Sequence, residues 1–147
     1  MSAELKTRAL QLLARREHSR AELARKLAAD AREEDIETVL DHLEQAGLLS
    51  DRRYAESLVH ARAARFGAAR LRHDMQSKGI AGEIIDEALP DDAEAELARA
   101  REVWRRKFGR MPVDRADWAR QARFLQSRGF AVDIIRKALK EHEEEQK

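Results

Sequence analysis

QSKGIAGEIIDEAL occupies residues 76–89, and QSRGFAVDIIRKAL occupies residues 126–139. Across that interval of fifty residues, eight of the fourteen positions are identical, and Lys78/Arg128 and Ile80/Phe130 are close replacements. Each phrase contains a glycine stop followed by apolar residues at helical spacing, Ile84, Ile85, Ala88 and Leu89 in one and Ile134, Ile135, Ala138 and Leu139 in the other. A weaker version, LAADAREEDIETVL, precedes them at residues 27–40, with Leu27 and Leu40 in the places of Met75 and Leu89. A phrase that recurs at this interval marks a tandem repeat, each copy one small unit whose core is extended by its neighbours.

The remaining sequence fills in the unit. The 147 residues include 26 Ala and 16 Leu but only 5 Val, with 39% charged and 5% aromatic residues. Ala and Leu among Glu, Lys and Arg favour helix, and the residues that strands prefer are scarce. Leu5, Ala9, Leu12 and Leu13 predict a first helix over residues 4–16. Ser19 with Glu22 forms a capping box ahead of Leu23 and Leu27. Ile36, Val39, Leu40 and Leu43 line a third helix that Gly47 ends. The second cycle opens at Ser50 or Asp51 and carries Tyr54, Ala55, Leu58, Val59 and Phe66 inward, with breaks at Gly67 and Gly79 and a block at Pro90. The third opens with Asp91 as cap and places Leu97, Ala100, Trp104 and Phe108 on one stripe. Asp114 then caps a helix with Trp118, Ala122 and Leu125.

The expected fold is all-α, three tandem three-helix repeats (helix-turn-helix-like units) in an elongated, curved array. Their expected boundaries are 1–49, 50–90 and 91–140, followed by an acidic, frayed tail at 141–147.

No Cys is present, which excludes disulfides and thiolate metal sites and fits a reducing compartment. The N-terminal MSAELKTRAL has no apolar signal core, and no apolar run reaches membrane-spanning length, so a cytoplasmic monomer is expected. No phosphate loop, G-x-S-x-G or H-E-x-x-H occurs. His18, His42, His60, His73 and His142 are not paired at ligand spacing, and the serines sit at caps, at helix ends or at the N-terminus. Neither catalysis nor a cofactor or metal is expected.

The net charge of +1 conceals alternating blocks: −2 over residues 1–50, +4 over 51–78, −6 over 79–102, +8 over 103–140 and −3 over 141–147. A helix-turn-helix reader would need basic third helices. The first two instead carry Glu33, Glu34, Asp35, Glu37 and Asp41, and Glu83, Asp86 and Glu87; only the third, with Arg136, Lys137 and Lys140, is basic. Sequence-specific reading by all three units is therefore not expected.

The basic residues cluster on the other two helices. In the second repeat they are Arg52, Arg53, Arg62, Arg65, Arg70, Arg72 and Lys78. In the third they are Arg105, Arg106, Lys107, Arg110, Arg115, Arg120, Arg123 and Arg128. This recurrence predicts a basic track for an acidic protein surface or for phosphates without sequence preference. Pairing with acids on neighbouring turns is the competing account. It is weakest in WRRKFGR, where no acid follows on the C-terminal side until Asp114. Trp104, Phe108 and Trp118 are expected in the core, while Phe124 could face outward for stacking.

REHSRAELARKL (residues 16–27), GLLSDRRYAESLV (47–59), RLRHDMQSKGI (70–80), RKFG (106–109) and RFLQSRGF (123–130) come in the order of a known family. With them the chain resembles the RecX regulators of the bacterial recombinase RecA, over about residues 5–139. The pair Ala81-Gly82 departs from the acidic or hydroxyl helix cap common there. The resemblance implies a regulator and not an enzyme. It implies binding in the groove of RecA filaments on single-stranded DNA, with suppression of ATPase, strand exchange and co-protease activity. DNA repair, recombination and the SOS response are thereby modulated. It supplies no catalytic residue to carry over, and it leaves room for a weak direct DNA contact. A stand-alone DNA-binding protein using the basic blocks is the alternative.

Overall fold

The computed structural model describes residues 2–29 and 31–145, the side chains of Ser2 and of 141–145 excepted. Among the described residues every regular element is an α-helix. In chain order they are α1 (Ser2–Arg15), α2 (Arg20–Leu27), α3 (Glu33–Gln45), α4 (Asp51–Arg62), α5 (Ala68–Ser77), α6 (Gly82–Ala88), α7 (Ala93–Lys107), α8 (Arg115–Ser127) and α9 (Val132–Glu145). No helix is long and apolar enough to cross a membrane.

The expected caps form with one open choice settled and one adjustment. Ser19 accepts from the Glu22 amide, and Asp114 accepts from the Asp117 amide at 2.8 Å. Ser50, not Asp51, caps α4 by accepting from the Arg53 amide at 3.1 Å. Asp92, not Asp91, caps α7, because its carboxylate is the one that reaches the Ala95 amide. The glycine stops at Gly47, Gly79 and Gly129 have φ of 75°, 77° and 93°, the left-handed region that a side chain disfavours. α6 begins at Gly82 with no side-chain cap on its first turn, the Ile84 and Ile85 amides bonding back to the Ala81 carbonyl. The acidic tail expected at 141–147 lies outside the residues whose side chains are described, and the backbone is helical as far as Glu145.

The chain divides into two compact units that do not coincide with the three helix triplets. Unit 1 comprises Met1–Leu58 with Met75–Ala88, and unit 2 comprises Val59–Asp74 with Leu89–Lys147. The boundaries fall inside α4 and α5, so the middle triplet contributes to both.

In unit 1, α1, α2 and α3 pack mutually around Leu5, Ala9, Leu23, Leu27, Ile36, Val39, Leu40, Leu43 and Leu49. Onto the start of α2 docks the turn that ends α5. The Ser19 hydroxyl donates to the Lys78 carbonyl at 2.7 Å, and Arg25 donates to the Ser77 carbonyl at 3.2 Å. A Cβ on Gly79 would lie 2.6 Å from the Ala21 Cβ.

Unit 2 repeats the device. α7, α8 and α9 enclose Ala100, Val103, Trp104, Leu125, Phe130, Ile134, Ile135, Ala138 and Leu139. The turn that ends α8 meets the start of α5: the Gly67 amide donates to the Arg128 carbonyl at 2.7 Å, and the Ala69 amide to the Gly129 carbonyl at 3.1 Å. A Cβ on Gly129 would strike the Arg70 side chain, and one on Gly67 would lie 2.5 Å from the Gly129 carbonyl oxygen. Gly67 is thus required by close approach of two backbones, not by a positive φ. Trp104 is buried, and its indole N–H donates to the fully buried Gln121 at 2.7 Å. Trp118, expected in the core, is instead 39% exposed, at the edge of a recess formed with Met111, Pro112 and Val113. It lies in the first turn of α8, about one turn before the fully buried Gln121 of the same helix.

Candidate interaction surface

The fifteen basic residues singled out by charge fall unevenly on the two units. Arg52, Arg53 and Lys78 belong to unit 1; the other twelve belong to unit 2. Summed over the full sequence, unit 1 carries −4 and unit 2 +5.

In unit 1 the candidates are bound to carboxylates of their own unit. Arg52 meets Glu87 at 3.1 Å, and Arg53 spans Glu17 at 3.0 Å and the Gly47 carbonyl at 2.8 Å. Lys78 lies 3.5 Å from Glu22. Glu22 is the centre of this unit's electrostatics, 5% exposed and held by two hydrogen bonds from Arg16 at 2.7 and 3.1 Å. Burial alone would raise its pKa; the Arg16 hydrogen bonds and charge, with Lys78, outweigh that and hold it at about 2.

Beside it lies the buried His18, for which the Glu22 charge is outweighed. Its Nδ1 lies 3.0 Å from the Arg16 carbonyl, which fixes the proton there, and its Nε2 accepts from Lys26 at 2.9 Å. Desolvation lowers the His18 pKa, opposed by the Arg16 carbonyl, and the Arg16 and Lys26 charges lower it further. This group, with Glu22 and His18 buried beneath the exposed Arg16 and Lys26, was not singled out as a site by spacing, although its signal, the capping box Ser19–Glu22, was visible. Arg20 is likewise absorbed: it reaches Glu37, Asp41 and Glu44 of α3 at 2.5–2.9 Å, so much of that acidic third helix is internally balanced.

In unit 2 the picture differs. Arg62 and Arg70 share Asp74 at 2.8 and 3.2 Å, and Arg120 pairs with Asp117 at 2.7 Å. Arg105 and Arg106, expected to lack acids, both meet Glu102 on the preceding turn, at 2.8 and 3.1 Å. The spacing argument looked only C-terminal of the basic run, whereas i,i+3 and i,i+4 pairs form in either direction. Arg72 also has a partner. Arg110 is exposed, and its charge helps hold Asp117 below the usual carboxylate range, behind the Arg120 hydrogen bond and the Val113 amide. Arg123 is exposed on α8.

Three cations have rings instead of carboxylates. Arg128 lies 5.2 Å from the Phe66 centroid and 5.1 Å from that of Phe124. Lys107 stands 5.2 Å from Phe124, and Arg65 and Arg70 stand 5.9 and 4.9 Å from Phe66. Phe108 continues the series, edge-on to Phe124 at 5.5 Å with Arg120 at 5.1 Å. Phe66 was expected on the inner stripe of α4. That helix ends at Arg62, so the ring is only half-buried and becomes a platform for guanidinium groups. Among the described residues no group of three or more His, Asp or Glu could hold a metal.

Family models of the first, second and third three-helix domains of RecX match residues 6–43, 50–89 and 94–139. The chain is 54% identical over 137 residues to the Regulatory protein RecX of Leptothrix cholodnii, covering 92% of this chain and 87% of that one. To that of Herminiimonas arsenicoxydans it is 48% identical over 145 residues, 98% and 96% of the two chains. The crystal structure of RecX from Lactobacillus salivarius shares the fold with a TM-score of 0.82 at 24% identity, over 95% of each chain. The chain belongs to the RecX family, whose members are regulatory proteins and not enzymes.

Proposed function

We propose that this chain binds RecA filaments on single-stranded DNA and restrains them, slowing ATP turnover, strand exchange and co-protease activity, and so modulates repair and recombination in the cytoplasm. The observation that carries the reading is the ordered match of three RecX domains along nearly the whole chain. The concentration of positive charge on unit 2 fits a binding partner and not a substrate.

The test is a comparison of binding to RecA on single-stranded DNA and to naked DNA, with ATP hydrolysis followed in parallel. Tighter binding to the filament and slower hydrolysis are expected; equal binding with unchanged hydrolysis sinks the reading. The alternative, a stand-alone DNA-binding protein, draws on the same unit 2 cations. It requires affinity for single strands to fall by about 0.7 log unit per log unit of salt for each phosphate contacted.

A further inference from the structure

One recess of unit 2 gathers four cations, three of which have no carboxylate partner among the described residues. It encloses about 260 Å³, with Ala64, Val103 and Phe124 as its apolar floor and Arg65, Arg106, Lys107 and Arg128 around it. No acidic residue lines it. Arg106 is answered by Glu102, but Arg65, Lys107 and Arg128 form no ion pair among the described residues and are held against Phe66 and Phe124 instead. Cations fixed over rings have lost part of their rotamer freedom before any partner arrives, so less is lost on binding.

We propose that this recess receives an acidic segment of a protein partner. One apolar side chain of the segment sits on Ala64, Val103 and Phe124, and flanking carboxylates meet Arg65, Lys107 and Arg128. That the segment belongs to the RecA filament rests on the function proposed above; the chemistry of the recess does not.

Three observations favour a peptide over a nucleic-acid strand. The rings on which bases would stack already carry cations, three guanidinium groups within 6 Å of Phe66 and two cations near Phe124. An apolar floor beneath a charged rim suits an apolar residue flanked by acids, whereas a phosphodiester chain brings charge without an apolar neighbour to bury. The volume lies below the roughly 300–1,000 Å³ of pockets that enclose whole small ligands, and suits side chains.

The test uses the full chain and a fluorescent twelve-residue peptide of alternating Asp or Glu with Leu or Phe, followed by anisotropy. Two charge reversals of equal size are compared: Arg65→Glu with Lys107→Glu at the recess, and Arg136→Glu with Lys137→Glu on α9. The recess pair is expected to weaken peptide binding about tenfold or more, the α9 pair by less than about twofold. Equal losses, no binding by the unaltered chain, or displacement of the peptide by a twelve-nucleotide oligothymidine at lower concentration would overturn the proposal. The assay contains no RecA. A chain that captures the peptide through the recess but leaves RecA turnover untouched therefore upholds the recess while refuting the function proposed above.

Discussion

Glu22 shows how much a single side chain can carry. Its pKa is held at about 2 against an ordinary 4.5, so the folded chain keeps it ionised where the unfolded chain takes up a proton. Stability from this group is complete above about pH 4.5 and is lost as pH falls toward 2. A gap of that size corresponds to about 3 kcal/mol at neutral pH. Glu22→Gln should lower stability at pH 7 by about 2 kcal/mol and flatten the acid limb of urea denaturation followed from pH 7 to 2. Parallel curves for the two proteins would show that Arg16 and Lys78 do not act through this carboxylate.

His18 has the same sign for the opposite chemical reason. Its folded pKa is lowered, so the unfolded state binds its proton first, and stability present above about pH 6.5 declines as pH falls below it. An NMR titration should place the His18 midpoint below the ordinary histidine value of 6.5. A midpoint at or above that value would remove Lys26 as its hydrogen-bond donor.

At the scale of elements, the glycine turns separate two demands that the sequence writes with the same letter. Gly47 and Gly129 both have positive φ, but a Cβ on Gly47 meets nothing within 4 Å, while one on Gly129 strikes the Arg70 side chain. Gly47→Ala should cost about 1 kcal/mol, the left-handed strain alone. Gly129→Ala should cost 1–3 kcal/mol more, through overlap. It should also speed amide exchange at Gly67 and Ala69, whose hydrogens bond to the Arg128 and Gly129 carbonyls. Equal melting temperatures would show that the turn does not need this close approach.

Helix periodicity, Ser19, Asp114 and the glycine stops were legible because each is a local rule. The rings were not. Whether Phe66 lies inside or under guanidinium groups depends on where α4 stops and on Arg128, sixty-two residues away. Spacing places neither. The Glu102 pairs were missed for a simpler reason, since the acid precedes the basic run. They bear on α7: replacing Arg105, Arg106 and Lys107 together by Glu should change stability by less than about 1 kcal/mol, because all three are exposed. The same variant should relieve restraint of RecA ATP turnover. Unfolding of the variant, seen as lost helical circular dichroism, would assign the run a structural role.

For the whole molecule, a net charge near zero is the least informative number. The −4 of unit 1 and the +5 of unit 2 are the quantities a partner meets. Association with an acidic partner through unit 2 should slow as ionic strength rises, while dissociation changes less, because screening acts on long-range approach. Stopped-flow traces at about 50 and 200 mM salt would show this, and a salt-independent association rate would exclude steering by unit 2.

The two docking turns also give the repeat a direction. In each, the QS-Lys/Arg-Gly phrase of one repeat seats against the helix start of the repeat before it, and in each the missing Cβ makes room. The first repeat writes LAADAREED at the corresponding place, with no glycine. It offers an upstream neighbour no seat of this kind. Gene duplication could therefore lengthen such a protein downstream by copying an existing phrase, whereas upstream growth would require inventing one.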